Sequence, residues 1–181
     1  MDSYLNNRDS KMFNVVSDEV KLKASKIRLM LTDIDGVFTD NGVYYSANGE
    51  ELKRFSFRDG MGVERLRNLI DVPTGIITRE VSMPVAKRAE KLKITELHLG
   101  VKDKAERLEE ILIRRKLSPE QIAYIGDDVN DLEIMEKIGL CACPADAMSV
   151  VKDIADYVCL TNGGYGCFRE FAELLITFKQ N

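Results

Sequence analysis

Short runs of apolar residues alternate along the chain with longer stretches in which apolar positions recur at helical spacing. Runs at 27–33, 73–78, 94–99, 122–126 and 139–142, with a shorter one at 157–160, read as strands. Their continuous apolar character predicts a parallel sheet covered on both faces. The stretches 61–70, 81–92, 102–116, 130–137 and 168–178 read as helices, Pro84 fitting a first turn and Ser118-Pro119 stopping the third of them. This alternation predicts an α/β domain with a doubly wound, mainly parallel, Rossmann-like sheet over residues 27–181. Residues 1–26 read as an N-terminal arm, with a short helix expected within 15–25.

One segment breaks the alternation. Residues 43–57 read as two strands around Asn48-Gly49, a strong two-residue turn signal, so a β-hairpin spanning 42–57 is inserted after the first strand. It carries Tyr44, Tyr45, Leu52, Phe55 and Phe57, more apolar surface than a solvated flap retains. The hairpin is therefore expected to pack on something, either a second subunit or its own domain.

Composition narrows the class. With 181 residues, 45% hydrophobic and 31% charged, the chain suits one globular domain with a sizeable core. The net charge of −4 and the mixing of both signs leave no basic stripe for a phosphate backbone, so nucleic acid is not expected as a partner. No apolar run approaches the roughly 20 residues of a membrane helix, and the polar start lacks a signal-peptide core, which predicts a cytoplasmic protein without a membrane partner. Cys141, Cys143, Cys159 and Cys167 form no C-x-x-C pair and read as small buried hydrophobes.

The chemistry lies where strands end. The segment DIDGVFTD places Asp33 and Asp35 at the carboxyl end of the first strand, where open α/β sheets bind ligands. Two carboxylates so close repel each other unless a cation neutralises them or a proton is being handled; the ordinary alternative is a turn whose Asp residues cap amides. A second acidic cluster, GDDVND, places Asp127 and Asp128 at the end of another strand, able to converge on the first pair, with Asp131 able to cap the helix beyond. Hard oxygen donors without nearby His or Cys suit Mg²⁺. Thr78 ends the second apolar strand and Lys104 opens a helix after the third, where a hydroxyl and a positive charge would meet a phosphate.

In that order Asp33-x-Asp35, Thr78, Lys104 and GDDVND resemble the four motifs of the haloacid dehalogenase superfamily, over nearly all the chain beyond Ser25. The resemblance implies an enzyme, a phosphatase, in which Asp33 is the nucleophile and Asp35 the general acid/base. Mg²⁺ would be held by Asp33, Asp127 and the backbone carbonyl of Asp35. Thr78 and Lys104 would hold phosphoryl oxygens, with Asp128 and Asp131 supporting metal and lysine. Only a hairpin and one helix separate the first two motifs, so the form is capless.

The hairpin, the segment RDGMG from Arg58, and the ending GGYGCFRE are similar to phosphatases of 3-deoxy-2-keto sugar acids. That similarity implies a small phosphorylated sugar acid as substrate, KDO 8-phosphate or KDN 9-phosphate, and a homotetramer built through the hairpin. Arg79-Glu80 stands where KDO 8-phosphate phosphatases usually carry Gly-Arg. Glu80 with Arg88 and Lys91 resembles the KDN 9-phosphate enzymes, and these three, expected on one side of the helix 81–92, are candidate substrate-binding residues with Arg58. Two other classes compete: a receiver-like signalling module, which has no need of an acid/base such as Asp35, and an inactive assembly subunit of the same fold. The lone histidine, His98, reads as structural.

Overall fold

The computed structural model describes residues 16–179; residues 1–15 of the expected arm lie outside them. Helix α1 (Asp18–Lys26) is capped by Ser17, whose hydroxyl accepts from Val20 N at 3.3 Å. The elements that follow are β1 (Leu29–Thr32), β2 (Val43–Ser46), β3 (Gly49–Lys53), α2 (Phe57–Ile70), β4 (Thr74–Ile77), α3 (Met83–Leu92), β5 (Glu96–His98) and α4 (Lys104–Arg115). The chain continues through β6 (Ile122–Ile125), α5 (Leu132–Glu136), β7 (Leu140–Cys143), α6 (Ser149–Ile154), β8 (Tyr157–Val158) and α7 (Cys167–Lys179). Two 3₁₀ turns, Pro119–Gln121 and Val129–Asp131, precede β6 and α5.

Six strands form one sheet in the order β5-β4-β1-β6-β7-β8, every pairing parallel, as the apolar runs predict. Alternation along each strand sorts side chains into two cores. Met30, Ile76, Ala123 and Ala142 face one side, where Val20 and Ala24 of α1, Val63 of α2, Val85 of α3 and Phe171 of α7 cover them. Leu29, Leu31, Tyr124 and Cys141 face the other, covered by Leu108 of α4, Met135 of α5 and Val151 of α6. All four cysteines are buried free thiols, the environment read for them from sequence.

From β1 the chain builds outward to β4 and β5, then crosses back to lay β6, β7 and β8 on the other side. The order reverses beside β1, and the crevice beyond its carboxyl end is the switch point at which such sheets take ligands.

Several details differ from the sequence reading. Helix α2 begins at Phe57 rather than 61, because Ser56 caps it by accepting from Arg58 N at 3.1 Å while its polar, glycine-containing first turn hides the apolar period. Helix α3 begins at Met83, with Ser82 accepting from Val85 N, so Glu80 lies in the loop before it. Helix α4 ends when Lys116 turns left-handed at φ 53, ahead of Ser118-Pro119. Helix α6 was not read at all, since Val151 is its one buried residue and leaves no period to detect. The hairpin forms, but β3 ends at Lys53 and Phe57 opens α2 instead of closing the second strand; Ala47 and Asn48 make the turn, and Gly49, at φ 104, takes the left-handed position after it.

Candidate active site

Asp33 is the first residue beyond β1, and its N–H donates to Ile125 O on β6 at 3.0 Å. Its Oδ1 accepts from Ile34 N at 2.7 Å. Ile34 turns into the core, 1% exposed, so Asp33 and Asp35 flank a single buried anchor. Gly36 completes the turn at φ 78, and a Cβ there would collide with the Asp127 carboxylate. The left-handed backbone and that close approach both require glycine.

The second acidic segment meets the first across β1 and β6. One carboxylate oxygen each from Asp33, Asp127 and Asp131 lie within 4.8 Å of one another. Asp131 is fully enclosed: Oδ1 accepts from Lys104 at 2.6 Å and from the Tyr124 hydroxyl at 2.6 Å, and Oδ2 accepts from the amides of Asp127 and Asp128. It therefore organises the turn and positions Lys104. Asp33 and Asp127 open onto a cavity of about 390 Å³ at the switch point, where Asp35, Thr78, Glu80 and Asp128 also reach the wall.

Lys104 lies between Asp33 Oδ2 at 2.8 Å and Asp131 Oδ1 at 2.6 Å, its side chain 2% exposed. Burial opposes its charge, but the Asp33 and Asp131 carboxylates outweigh that and hold its pKa above the ordinary lysine range. Burial raises Asp33 to about 6, with the Asp131 charge adding and the Lys104 ammonium opposing. Burial likewise raises Asp127 to about 7, against the hydrogen bond that Asn41 Nδ2 donates to its Oδ2 at 3.1 Å. Two carboxyls held near neutrality, with a third acid beside them, are a donor set short of positive charge.

Asp35 points into the same cavity, with Oδ1 2.5 Å from the Lys53 ammonium on the hairpin. Thr78 closes the β4 side; its backbone N–H donates to His98 O and its carbonyl accepts from Val101 N, each at 3.0 Å. Asp128 caps the 3₁₀ turn, accepting from Val129 N at 2.7 Å. His98 Nε2 lies 2.5 Å from Glu96 Oε1, away from the cavity.

The four candidate substrate-binding residues do not lie together. Glu80 lines the cavity. Arg88 donates to Ser56 O at 2.9 Å and stacks near Phe55 and Phe57, and Lys91 stands 5.8 Å from the centre of the Phe57 ring, so both face the hairpin's end within one chain. Arg58 is exposed in the first turn of α2, beside Gly166. The expectation of Glu80, Arg88 and Lys91 on one helix side is corrected by the later start of α3. Sequence reasoning missed Asn41, Lys102 and Asn130, which line the cavity together with Arg79, and Lys53 behind Asp35. Asn130 sits inside the GDDVND segment, and Asn41, left-handed at φ 60, follows directly on the first acidic segment.

Comparison with known proteins gives one consistent result. Residues 87–169 match a family model described as haloacid dehalogenase-like hydrolase. The 3-deoxy-D-manno-octulosonate 8-phosphate phosphatase of Escherichia coli is 40% identical over 164 residues, 91% of this chain and 87% of that one. The crystal structure of the Yersinia pestis phosphatase of the same name superimposes with a TM-score of 0.87 at 39% identity, covering 91% of this chain and 89% of that one. The Moraxella catarrhalis phosphatase, solved with a magnesium ion, a phosphate ion and a KDO molecule, gives a TM-score of 0.87 at 30% identity, covering 91% and 94%.

Proposed function

We propose that this chain, which belongs to the haloacid dehalogenase-like hydrolases, is a magnesium-dependent phosphatase that removes the terminal phosphate of a 3-deoxy-2-keto sugar acid. The observation that carries this reading is the meeting of Asp33 and Asp127 at the switch point, with Lys104 2.8 Å from Asp33. Asp131 is already saturated by the lysine, the tyrosine and two amides, which leaves Asp33 and Asp127 of the three clustered carboxylates to hold the ion, and the family resemblance adds the Asp35 carbonyl. The residues fit: oxygen donors alone, two of them buried carboxyls short of positive charge, suit a hard divalent cation. When bound, magnesium supplies charge against the phosphoryl oxygens and relieves the repulsion among the carboxylates.

The chain's own residues then divide the work. A carboxylate approaching a phosphate dianion meets repulsion of about 4 kcal/mol per charge pair at about 4 Å with an effective dielectric near 20, close to a thousandfold in rate. Lys104, held charged beside Asp33, offsets part of that repulsion. Asp33 attacks phosphorus in line and becomes an aspartyl-phosphate, while Asp35 gives a proton to the departing sugar oxygen. Asp35 next takes a proton from the water that hydrolyses the intermediate, which releases phosphate and restores Asp33. Thr78 offers its hydroxyl to a phosphoryl oxygen from the opposite wall.

KDO 8-phosphate is the first substrate to test, because the relatives at 40% identity carry that name. A second reading, KDN 9-phosphate, is favoured by Glu80, which lines the cavity beside Arg79 where the KDO enzymes usually carry Gly-Arg. Phosphate release from KDO 8-phosphate, KDN 9-phosphate and N-acetylneuraminate 9-phosphate, with Mg²⁺ and with excess chelator, tests both. Magnesium-dependent cleavage of one sugar acid phosphate well above an aryl phosphate is expected; a protein that prefers none of them loses the sugar-acid assignment. A homotetramer built through the hairpin is part of the proposal, supported by the exposure of Tyr44, Tyr45, Leu52 and Phe57, and sedimentation velocity tests it.

A further inference from the structure

The hairpin does more than present an apolar outer face. Its inner face carries Lys53, whose ammonium donates to Asp35 Oδ1 at 2.5 Å across 18 positions of sequence. The Lys53 side chain is 3% exposed and absent from the cavity wall, whereas Asp35 is 29% exposed and forms part of that wall. Lys53 therefore reaches the reaction through Asp35 and not through substrate. The other contact to Asp35, from the Thr39 hydroxyl, is a long 3.4 Å and also falls on Oδ1. Both contacts hold the same oxygen and leave Oδ2 for the leaving group.

Lys53 is itself fixed from behind. Glu50 Oε2 stands 3.4 Å from its ammonium, and Glu50 Oε1 accepts from the hydroxyl of Ser82, the residue that caps α3. A continuous line of polar contacts thus runs from Asp35 through Lys53 and Glu50 to the start of α3, the loop that also bears Thr78 and Glu80. Stabilising the hairpin alone would require only the Lys53–Glu50 pair within β3; the stronger contact reaches out of the hairpin to the Asp35 turn.

We infer that Lys53 is a positioning residue that aims the Asp35 carboxyl at the leaving group, making the hairpin part of the catalytic apparatus. The inference rests on the phosphatase reading above. In the step it serves, the Asp35 proton passes to the bridging oxygen as the phosphorus–oxygen bond breaks and its electron pair stays on that oxygen, while the Asp33–phosphorus bond forms. A leaving group that departs readily as an anion needs no such proton. An alkoxide from a sugar does.

That difference supplies the test. Turnover of the preferred sugar acid phosphate and of p-nitrophenyl phosphate is measured with Mg²⁺ for wild type, Lys53→Met and Lys53→Arg, with thermal melting followed alongside. Lys53→Met is expected to lower kcat on the sugar phosphate by about tenfold to a hundredfold and on the aryl phosphate by less than about threefold, with Lys53→Arg recovering most of the loss. Equal losses on both substrates, or no loss on the sugar phosphate, would overturn the assignment. Where Lys53→Met does not fold, Lys53→Gln and Glu50→Gln must show a bias in the same direction, and an unbiased pair overturns it equally. A wild-type protein that hydrolyses neither substrate sinks the phosphatase reading itself, an outcome distinct from an active wild type with an unbiased Lys53→Met.

Discussion

Two lysines, each almost wholly buried, sit on the two carboxylates of the first acidic turn, and their supports differ. Lys104 opens a helix packed on the sheet, and its partners Asp33 and Asp131 are themselves held by Tyr124, two amides and the β1–β6 ladder. Lys53 ends a strand of a two-stranded hairpin whose outer face shows Tyr44 at 66% and Leu52 at 62% exposure. A charge in a saturated, rigid shell is fixed by the fold. A charge on a hairpin that is marginal alone is fixed only as well as that hairpin is. The Asp33 side of the site is thus built into the core, and the Asp35 side hangs on an appendage.

The largest effect should come from the core side. Asp33→Asn is expected to reduce phosphate release by at least about a thousandfold with circular dichroism unchanged, since it removes the attacking group and leaves the fold. A folded Asp33→Asn protein with ordinary turnover would remove the mechanism altogether. Lys104→Met should abolish activity and also cost about 3 kcal/mol in urea unfolding, because Asp33 and Asp131 lose a buried partner. Lys53→Met should cost on the order of 1 kcal/mol, since Asp35 keeps access to water. Equal stability losses at the two lysines would erase the contrast between them.

A buried carboxylate remote from the cavity calibrates it. Burial pushes Glu96 up, and Arg114, Arg115 and His98 more than reverse this, holding its pKa at about 2 against an ordinary 4.5. A carboxyl whose pKa falls on folding contributes stability above its unfolded value and loses it as pH drops through its folded one. Wild type should therefore exceed Glu96→Gln by about 1–2 kcal/mol at neutral pH, the guanidiniums being partly screened by water. That gap should close between about pH 4.5 and about pH 2 in denaturant titrations, while kcat at neutral pH is unchanged. The smallest effect is expected from Tyr124→Phe. It removes the hydroxyl shared by Lys104 and Asp131, costs about 1 kcal/mol and slows turnover a few-fold.

The same contrast marks what could be read from the chain beforehand. The six strands and the convergence of Asp33 with Asp127 were legible because apolar runs and strand-end acids are local signals. The saturation of Asp131 was not, since it depends on Tyr124 and Lys104, which meet it only once β6 and α4 pack together. Lys53 was invisible for the same reason: nothing within β3 indicates that its side chain turns back to a residue 18 positions earlier. The scatter of Glu80, Arg88 and Lys91 followed from a helix that Ser82 starts at Met83, two residues later than read, which leaves Glu80 in the loop three residues ahead of it.

Ile34, driven into the core between Asp33 and Asp35, has a consequence for how such an enzyme can diversify. One hydrophobic rivet holds Asp33 and Asp35, so neither can drift without dragging its neighbour. New substrates must then be accommodated by altering the rim, at positions such as 79, 80 and 102, while the two aspartates keep one spacing.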